Sequence, residues 1–293
     1  MKAYMLKKPA HIGVVFSLPA ILFFFLFIFI PVVSTFVLSL TSWKGFSLAQ
    51  IKIAGLSNFA ELFSDAVFFK ALANTLTFVV ITTVLLNIIG FTCASLIDTR
   101  IPGTAFFKNA VFLPVLLAPI IIGIMWSRML DAFGIVNQLL RTIHAVKMPV
   151  LFLGDEHIAL YTVIGATIWQ YSGYDMLLYF AGLQGVPHEQ VEAARMDGAS
   201  PFAVRRHVVI PFLSPVIAIT MLLNMIGGFK VFDIVYVMTA GGPNNSSHVF
   251  ATYLFQEAFR FNRMGYASVI AIVIIIFSIF TAVFRLRIVR RET

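Results

Sequence analysis

Charged and polar side chains are scarce in this chain, so the few places where they cluster are the candidates for chemistry. One cluster is the segment EAARMDGASPFAVRRHVVIPFLSP, from Glu192 to Pro215, in a sequence that is 60% hydrophobic and 12% charged. A second group lies inside long apolar stretches, in the sequences WQYSGYDMLLYF and NMIGGFKVFD. Polar groups inside apolar spans are energetically expensive and mark candidate solute or ion pathways. The first cluster could dock a partner, and the second could bind a polar solute.

The polar residues of the second group could line a route for a sugar. The rings of Tyr171 and Tyr174 can stack on sugar C–H surfaces, while Gln170, Asp175 and Asn224 can hydrogen-bond to hydroxyl groups. An aromatic stripe in a membrane helix is also typical of packing or of the interfacial belt. Both interpretations remain open from the residues alone.

Lys230 and Asp233 lie three residues apart, so a continuous helix would place them on one face. On that prediction they either form a self-neutralising pair that fixes helix packing or line the solute route themselves. Gly228, in a Gly-Gly pair beside them, would permit bending or the close approach of another helix.

The sequence lacks the short motifs of phosphate, zinc and dinucleotide sites. It contains no G-x-x-x-x-G-K-[ST], no H-E-x-x-H and no G-x-G-x-x-G. The six His residues show no ligand spacing, and the single Cys93 cannot form a disulfide or a Cys-based metal site within one chain. We therefore expect no catalytic residues, no metal site and no cofactor bound by this chain itself.

Composition predicts an all-α membrane protein, since the mean hydropathy is +0.94 and the apolar runs reach the roughly 20 residues of a spanning helix. A β-barrel would show shorter segments of alternating polarity. The first apolar run is much longer than a signal-peptide core, so we expect it to remain as a span. The predicted domain covers residues 12–285, between a tail at 1–11 and a basic tail at 286–293. Its six predicted spans are 12–40, 71–97, 105–127, 158–182, 208–240 and 266–284.

The distribution of positive charge predicts the topology. Most of the 21 Lys and Arg residues lie in short segments: the two tails, the turn after the second span and the loop before the fifth. Such enrichment is typical of cytoplasmic segments, so both termini are expected in the cytoplasm. The net charge of +8 is accounted for in this way and by contact with lipid, without a nucleic-acid partner.

The charged segment predicts two short helices joined by a glycine turn. Pro187 suits the first position of a helix that runs to Met196, and Gly198 can take the left-handed conformation that ends it. Ser200 followed by proline then begins a second helix, with Arg205, Arg206 and His207 in its last turn. The segment is either an interfacial connector in contact with lipid headgroups or a docking element for a cytoplasmic partner.

EAARMDGA followed by IPFLSP closely resembles the EAA motif of permease subunits in ATP-binding-cassette importers. Four further segments resemble carbohydrate-uptake permeases of the maltose and glycerol-phosphate type, and the resemblance extends from about residue 12 to 285: LPAILFFFLFIFIPVVSTFVLSLTSW, GLSNFAELFSDAVFFKALANTLTF, FDIVYVMTAGGP and EAFRFNRMGYAS. The resemblance implies a six-transmembrane-helix permease fold with a cytoplasmic helix-turn-helix coupling loop at 187–210.

In that family the loop docks into a groove of the ATPase subunit. The matching residues here are Glu192, Ala193, Ala194, Asp197, Gly198 and Ala199, and Pro211 matches the family's proline at the base of the following span. Arg205 stands where the family usually has an aromatic residue, so the contacts of the second helix are expected to differ.

The resemblance also implies the partners and the location. These are a second related permease subunit, two ATP-binding subunits that hold ATP and Mg, and an extracytoplasmic solute-binding protein, in a bacterial or archaeal cytoplasmic membrane. The expected function is the solute pathway of a sugar importer, with contacts from the fourth and fifth spans. The alternative is a stand-alone ion- or proton-coupled transporter that uses Lys230, Asp233 and Asp175.

Overall fold

The computed structural model describes residues 10–46, 51–99 and 103–289, with side chains described from residue 16 to residue 283. Residues 1–9 of the predicted N-terminal tail and residues 290–293 of the predicted basic tail lie outside these ranges. The described chain is helical apart from loops and one isolated bridge between Thr41 and Ile53. In chain order its α-helices are α1 (Ala10–Phe24), α2 (Ile30–Ser39), α3 (Ser57–Leu62), α4 (Ala66–Asp98), α5 (Thr104–Phe112), α6 (Pro119–Met129), α7 (Ile135–Thr142), α8 (Ala159–Leu183), α9 (His188–Met196), α10 (Pro201–Val204), α11 (Ile210–Phe212), α12 (Ser214–Phe229), α13 (Asp233–Thr239), α14 (Phe250–Phe255) and α15 (Met264–Val289).

The chain divides into two compact units. The first comprises residues 1–64 and 256–272, and the second comprises 65–255 and 273–293. In the first unit Asn58 donates hydrogen bonds to the carbonyl oxygens of Ser39 and Thr41, both at 2.8 Å. Arg263 forms salt bridges with Glu61 and Glu257. Partial burial lowers the pKa of Arg263, but hydrogen bonding and the two carboxylate charges outweigh it, so the pKa lies above its ordinary value.

Three described helices are long and apolar enough to cross a membrane, and each matches a predicted span. They are Phe16–Ser39, Ala66–Asp98 and Met264–Val283. The second begins five residues earlier than expected, because Asp65 caps it by accepting hydrogen bonds from the N–H groups of Val67 and Phe68. The fourth predicted span corresponds to α8, which is 25 residues long but has a more polar composition.

The third predicted span is broken into two helical pieces. Its two halves, Thr104–Leu116 and Pro119–Met129, are bent by 101° at the break between them. Prolines inside an apolar span indicate a kink, and the break lies between Pro114 and Pro119. Ala118 takes an extended conformation, which the proline that follows it favours over the helical one.

The fifth predicted span, 208–240, is also broken. Residues Pro201–Phe212 form one helical piece, and Ser214–Phe229 forms a second piece bent by 67° from it at Leu213. The chain breaks again after Phe229, and α13 begins only at Asp233. Pro211 therefore does not open the span. It lies just before the bend, and Pro215 occupies the first turn of α12.

Two widened helical turns precede prolines. Phe25–Phe29 and Arg205–Val209 are π-helical, and they lead into Pro31 and Pro211. A proline inside a helix removes one N–H donor, and its ring clashes with the carbonyl oxygen four residues earlier. A π turn widens the helix at that point. The three residues Arg205, Arg206 and His207 consequently lie in a π turn within a continuing helix, and not in the last turn of a separate one.

The second unit has its core around α8. One cluster of buried side chains joins the first half of α8 to α4, α6 and α13, through residues such as Phe78, Ile122 and Val235. Another joins its second half to α4 and to the bend at Leu213, through Met176 and Tyr179. Because both ends of α8 are packed, this helix is a fixed support for the polar residues that it carries.

Candidate functional site

The glycine turn predicted in the charged segment is present. Gly198 has a φ of +81°, its N–H donates to the carbonyl oxygen of Arg195, and the N–H of Ala199 donates to that of Ala194, both at 3.0 Å. These two bonds form the Schellman arrangement that ends a helix on a left-handed residue. A Cβ on Gly198 would have no atom within 4 Å, so only backbone conformation requires glycine here.

The second short helix begins as its sequence predicts. The hydroxyl of Ser200 accepts a hydrogen bond from the N–H of Ala203 at 3.2 Å, and Pro201 occupies the first turn. The first helix differs slightly, since Pro187 is its extended N-cap and not its first residue. From Pro201 the helix continues without a break to Phe212, so the glycine turn is joined directly to the bend before α12.

The residues matched to the coupling motif are accessible. Glu192, Ala193, Asp197 and Gly198 are exposed, and Ala194 and Ala199 are half-buried. Sequence reasoning missed two large apolar side chains beside them: Met196 is 88% exposed and Phe202 is 71% exposed. Their apolar character within a charged loop was the available signal, because exposed apolar groups commonly mark protein contact surfaces.

A groove of about 900 Å³ lies between this loop and the ends of α4 and α8. Asp98 and Gln184 line its helical wall, and the Gln184 side chain donates a 3.0 Å hydrogen bond to Asp98. Glu192, Arg195 and Arg205 line its loop wall. Arg205, the departure from the family pattern, therefore faces a space that it shares with an acidic residue of the motif.

A cavity of about 520 Å³ contains six of the eight residues predicted to line a solute route. It lies between α4, α8, α12 and the start of α13, with Pro119 on a further side. The six residues are Tyr171, Tyr174, Asn224, Gly228, Lys230 and Asp233. Its volume falls in the range of small-molecule sites, which is roughly 300–1,000 Å³.

Lys230 and Asp233 do not form the pair expected from a continuous helix. Lys230 caps the end of α12, whereas Asp233 is the first residue of α13. Among the described side chains no salt bridge joins the two, although both are exposed and line the cavity. The prediction that they share one helix face is wrong because the helix ends between them.

Gly228 serves close packing. A Cβ there would lie 2.9 Å from a methyl carbon of Val79 and 3.3 Å from its Cα, so α12 approaches the backbone of α4 at this point. A larger residue would separate α4 and α12, which both line the cavity.

Gln170 and Asp175 are buried and do not line the cavity. Gln170 is 1% exposed and donates a 3.1 Å hydrogen bond to the carbonyl oxygen of Leu117, beside the break in the third span. Asp175 is also 1% exposed, and its Oδ2 accepts a 2.6 Å hydrogen bond from the amide of Asn224. These two side chains can therefore affect a solute in the cavity only through the residues that they contact.

A buried polar cluster one turn away escaped the sequence analysis. The hydroxyls of Tyr179 and Thr220 both donate to the Asn87 side-chain oxygen at 2.6 Å, which joins α8 and α12 to α4. All three side chains are less than 10% exposed. A polar residue in each of three apolar spans was the only signal, and sequence alone does not show which spans are neighbours.

Comparison with known proteins places these features in context. The family model described as "Binding-protein-dependent transport system inner membrane component" matches residues 105–293. The probable ABC transporter permease protein YurN of Bacillus subtilis is 34% identical over 278 residues, which is 94% of each chain. The lactose transport system permease protein LacF of Rhizobium radiobacter is 31% identical over 268 residues, which is 90% of this chain and 89% of LacF.

The fold is also found in a solved structure. A chain of a bacterial alginate ABC transporter, crystallised in complex with an alginate pentasaccharide-bound periplasmic protein, superposes with a TM-score of 0.82 at 21% identity. The match covers 97% of this chain and 95% of that one. At this level of identity the likeness bears on the fold alone.

Proposed function

The chain belongs to the binding-protein-dependent transport system inner membrane component family, and we propose that it forms part of the solute pathway of an ATP-driven sugar importer. The observation that carries this proposal is the connection between two sites in one unit. The exposed Gly198 turn is joined through a continuous helix and the bend at Leu213 to α12, which lines the cavity. A docking surface and a cavity with several hydrogen-bonding side chains, connected through the same helices, suit a transport subunit.

The coupling loop transmits the conformational change of a partner ATPase to the membrane-spanning helices. ATP and Mg are held by that partner, and this chain contributes the docking surface of Glu192, Ala193 and the neighbouring Met196 and Phe202. When the ATPase subunits close, the loop moves with them. Because two hydrogen bonds, donated by Gly198 and Ala199, close the turn and the next helix is continuous to Phe212, the movement reaches α12 as the displacement of a rigid piece.

The cavity suits a neutral polyhydroxylated solute. Tyr171 and Tyr174 provide aromatic faces for sugar C–H surfaces, and Asn224, Lys230 and Asp233 provide hydrogen-bonding groups. Among the described residues that line the cavity, the single cation, Lys230, and the single carboxylate, Asp233, cancel in formal charge. The name of LacF supports a sugar in a relative of similar length.

The remaining partners follow from the family. We expect a second permease chain across the pathway, two ATP-binding subunits and a solute-binding protein at the extracytoplasmic face. Membrane lipid surrounds the spans, and both termini lie in the cytoplasm. Nothing in the described part of the chain favours the stand-alone ion- or proton-coupled transporter, which would rely on Lys230, Asp233 and Asp175. No salt bridge joins the first two among the described side chains, and Asp175 does not line the cavity.

The decisive experiment is reconstitution of this chain with its co-expressed partner subunits in lipid nanodiscs. ATP hydrolysis is measured with the binding protein and with lactose, maltotriose or arabinotriose, and uptake of the same sugars is measured in proteoliposomes. Hydrolysis should rise with at least one loaded sugar, and uptake should require ATP. Uptake that proceeds in the absence of the ATPase subunits, or hydrolysis that no sugar changes, would refute the proposed function.

A further inference from the structure

Asp175 is a carboxylate enclosed inside the helical core next to the cavity. It is 1% exposed, and its Oδ2 accepts the 2.6 Å hydrogen bond from the Nδ2 of Asn224. Its Oδ1 has no hydrogen-bond partner among the described residues. A buried charged or polar group is expensive unless its contacts are satisfied, so its retention in a membrane helix indicates a role.

Packing leaves Asp175 little freedom. Gly90 of α4 lies directly against it, since a Cβ on Gly90 would be 2.7 Å from the Asp175 Cβ and 3.0 Å from its carbonyl carbon. One turn along α8, Tyr179 is bonded to Asn87 and Thr220. Residues 175 and 179 on α8 are four apart, as are residues 220 and 224 on α12, so the two contacts lie one turn apart along the same pair of helices.

The chemistry of this contact determines which way the Asn224 amide points. The Nδ2 of Asn224 donates to the Oδ2 of Asp175, so the NH₂ group of Asn224 faces Asp175. The amide oxygen then points away from Asp175. This oxygen takes part in no hydrogen bond within the described part of the chain, and it is not one of the fully buried polar atoms that lack a partner. Asn224 itself lines the cavity, so this oxygen is available there as an acceptor.

We propose that Asp175 is a positioning residue that holds the Asn224 amide so that its oxygen accepts a hydrogen bond from a solute hydroxyl. Asp175 thus contributes to recognition without touching the solute. The inference rests on the proposed function, and it adds that this permease recognises one particular hydroxyl of the solute through a hydrogen bond. A solute that lacks this hydroxyl would leave the amide oxygen without a donor and would pass more slowly.

The test compares uptake of each transported sugar with that of its monodeoxy analogues in proteoliposomes. The probes are lactose, maltotriose and arabinotriose with their monodeoxy derivatives. Every variant is assayed with the same binding protein, so a change in the ratio of parent to deoxy uptake arises in the permease. For the wild type we expect at least one analogue to be disfavoured by roughly three- to tenfold, the size of one net hydrogen bond.

A double-mutant cycle then separates positioning from direct contact. Asn224→Ala should abolish the discrimination, Asp175→Ala should reduce it, and the double variant should behave like Asn224→Ala. Asp175→Asn should retain the discrimination because its amide oxygen can still accept from Asn224. Tyr179→Phe is the matched control, since it removes a buried hydrogen bond in the adjacent turn and should lower thermal stability without changing the ratio.

The exchange variant Asp175→Asn with Asn224→Asp keeps the shape of both side chains and keeps an acceptor towards the cavity. It should therefore retain discrimination even if Asp175→Ala fails to assemble. Additive effects of Asp175→Ala and Asn224→Ala, unchanged discrimination in Asn224→Ala, or lost discrimination in the exchange variant would each overturn the proposal. A wild-type complex that transports none of the sugars refutes the proposed function itself, which is a separate outcome.

Discussion

Replacement of Gly198 tests the coupling loop most directly, because the cost of each substitution can be estimated from its geometry. At a φ of +81° a residue with a Cβ is disfavoured by roughly 1–2 kcal/mol. A Cβ there contacts nothing within 4 Å, so no steric clash adds to that cost in Gly198→Ala. Proline fixes φ near about −65° and removes the N–H that donates to Arg195.

For Gly198→Ala this cost corresponds to a roughly 5- to 30-fold smaller population of the turn. Gly198→Pro cannot adopt the left-handed conformation at all, and it also loses a hydrogen bond worth about 1 kcal/mol. We expect Gly198→Asn to be nearly silent, because Asn tolerates the left-handed region, Gly198→Ala to be partly impaired, and Gly198→Pro to lose sugar-stimulated hydrolysis. Basal folding of the permease should remain, since the turn is exposed.

The assay is sugar-stimulated ATP hydrolysis of the reconstituted complex, with complex assembly measured by size-exclusion chromatography. Gly55 supplies a matched control, because it also has a positive φ of +56° and open space for a Cβ but lies outside the coupling loop. Gly55→Ala should carry a similar backbone cost without uncoupling. If Gly198→Pro transports at the wild-type rate, or if Gly55→Ala uncouples as strongly as Gly198→Ala, the account of the loop is refuted.

Three further perturbations address the docking surface and the cavity. Met196→Ser with Phe202→Ser should weaken association with the ATPase subunits by about tenfold, because two exposed apolar contacts are lost; unchanged co-purification would contradict this. Tyr174→Ala should slow uptake severalfold while ATPase assembly persists, and equal loss of both would assign Tyr174 to packing. Asp233→Asn should favour uptake of an acidic oligosaccharide over a neutral one, whereas Lys230→Gln should do the reverse; ratios that do not move would show that neither charge faces the solute.

Local features of the coupling segment could be predicted because they depend on neighbouring residues only. A glycine after a helical stretch and a serine before proline determine the left-handed turn and the N-cap through contacts within a few residues. Pro211 and Pro215 indicate a kink near the start of the fifth span but offer two positions for it, and the bend lies between them at Leu213. Leu213 lies in the buried core, where its contacts with α8 contribute to the choice.

Sequence patterns did not determine how the spans break. A hydropathy pattern predicts that a stretch is apolar enough to enter the membrane, and prolines indicate where it can kink, but neither determines the angle of the bend or whether the helix stops. The third span bends by 101°, and in the fifth the helix ends at Phe229, with three residues between it and the new helix that begins at Asp233. Lys230 and Asp233 would share one face only if the helix continued between them, which it does not. The sequence also did not determine whether Gln170 and Asp175 face the cavity, since the helical periodicity of polar residues does not distinguish a cavity wall from an interface between two helices.

The sequence by itself determined the class of protein, the approximate positions of the spans and the local geometry of the Gly198 turn. These follow from composition and from interactions between residues close in the chain. Only the tertiary structure decided which polar side chains face the cavity and which meet one another. Asp175 and Asn224 are 49 residues apart in sequence, and their contact exists because α8 and α12 pack together with α4 at a distance that Gly90 and Gly228 allow. Helix packing is a long-range property, and it converts two isolated polar residues into one hydrogen-bonded unit beside the cavity.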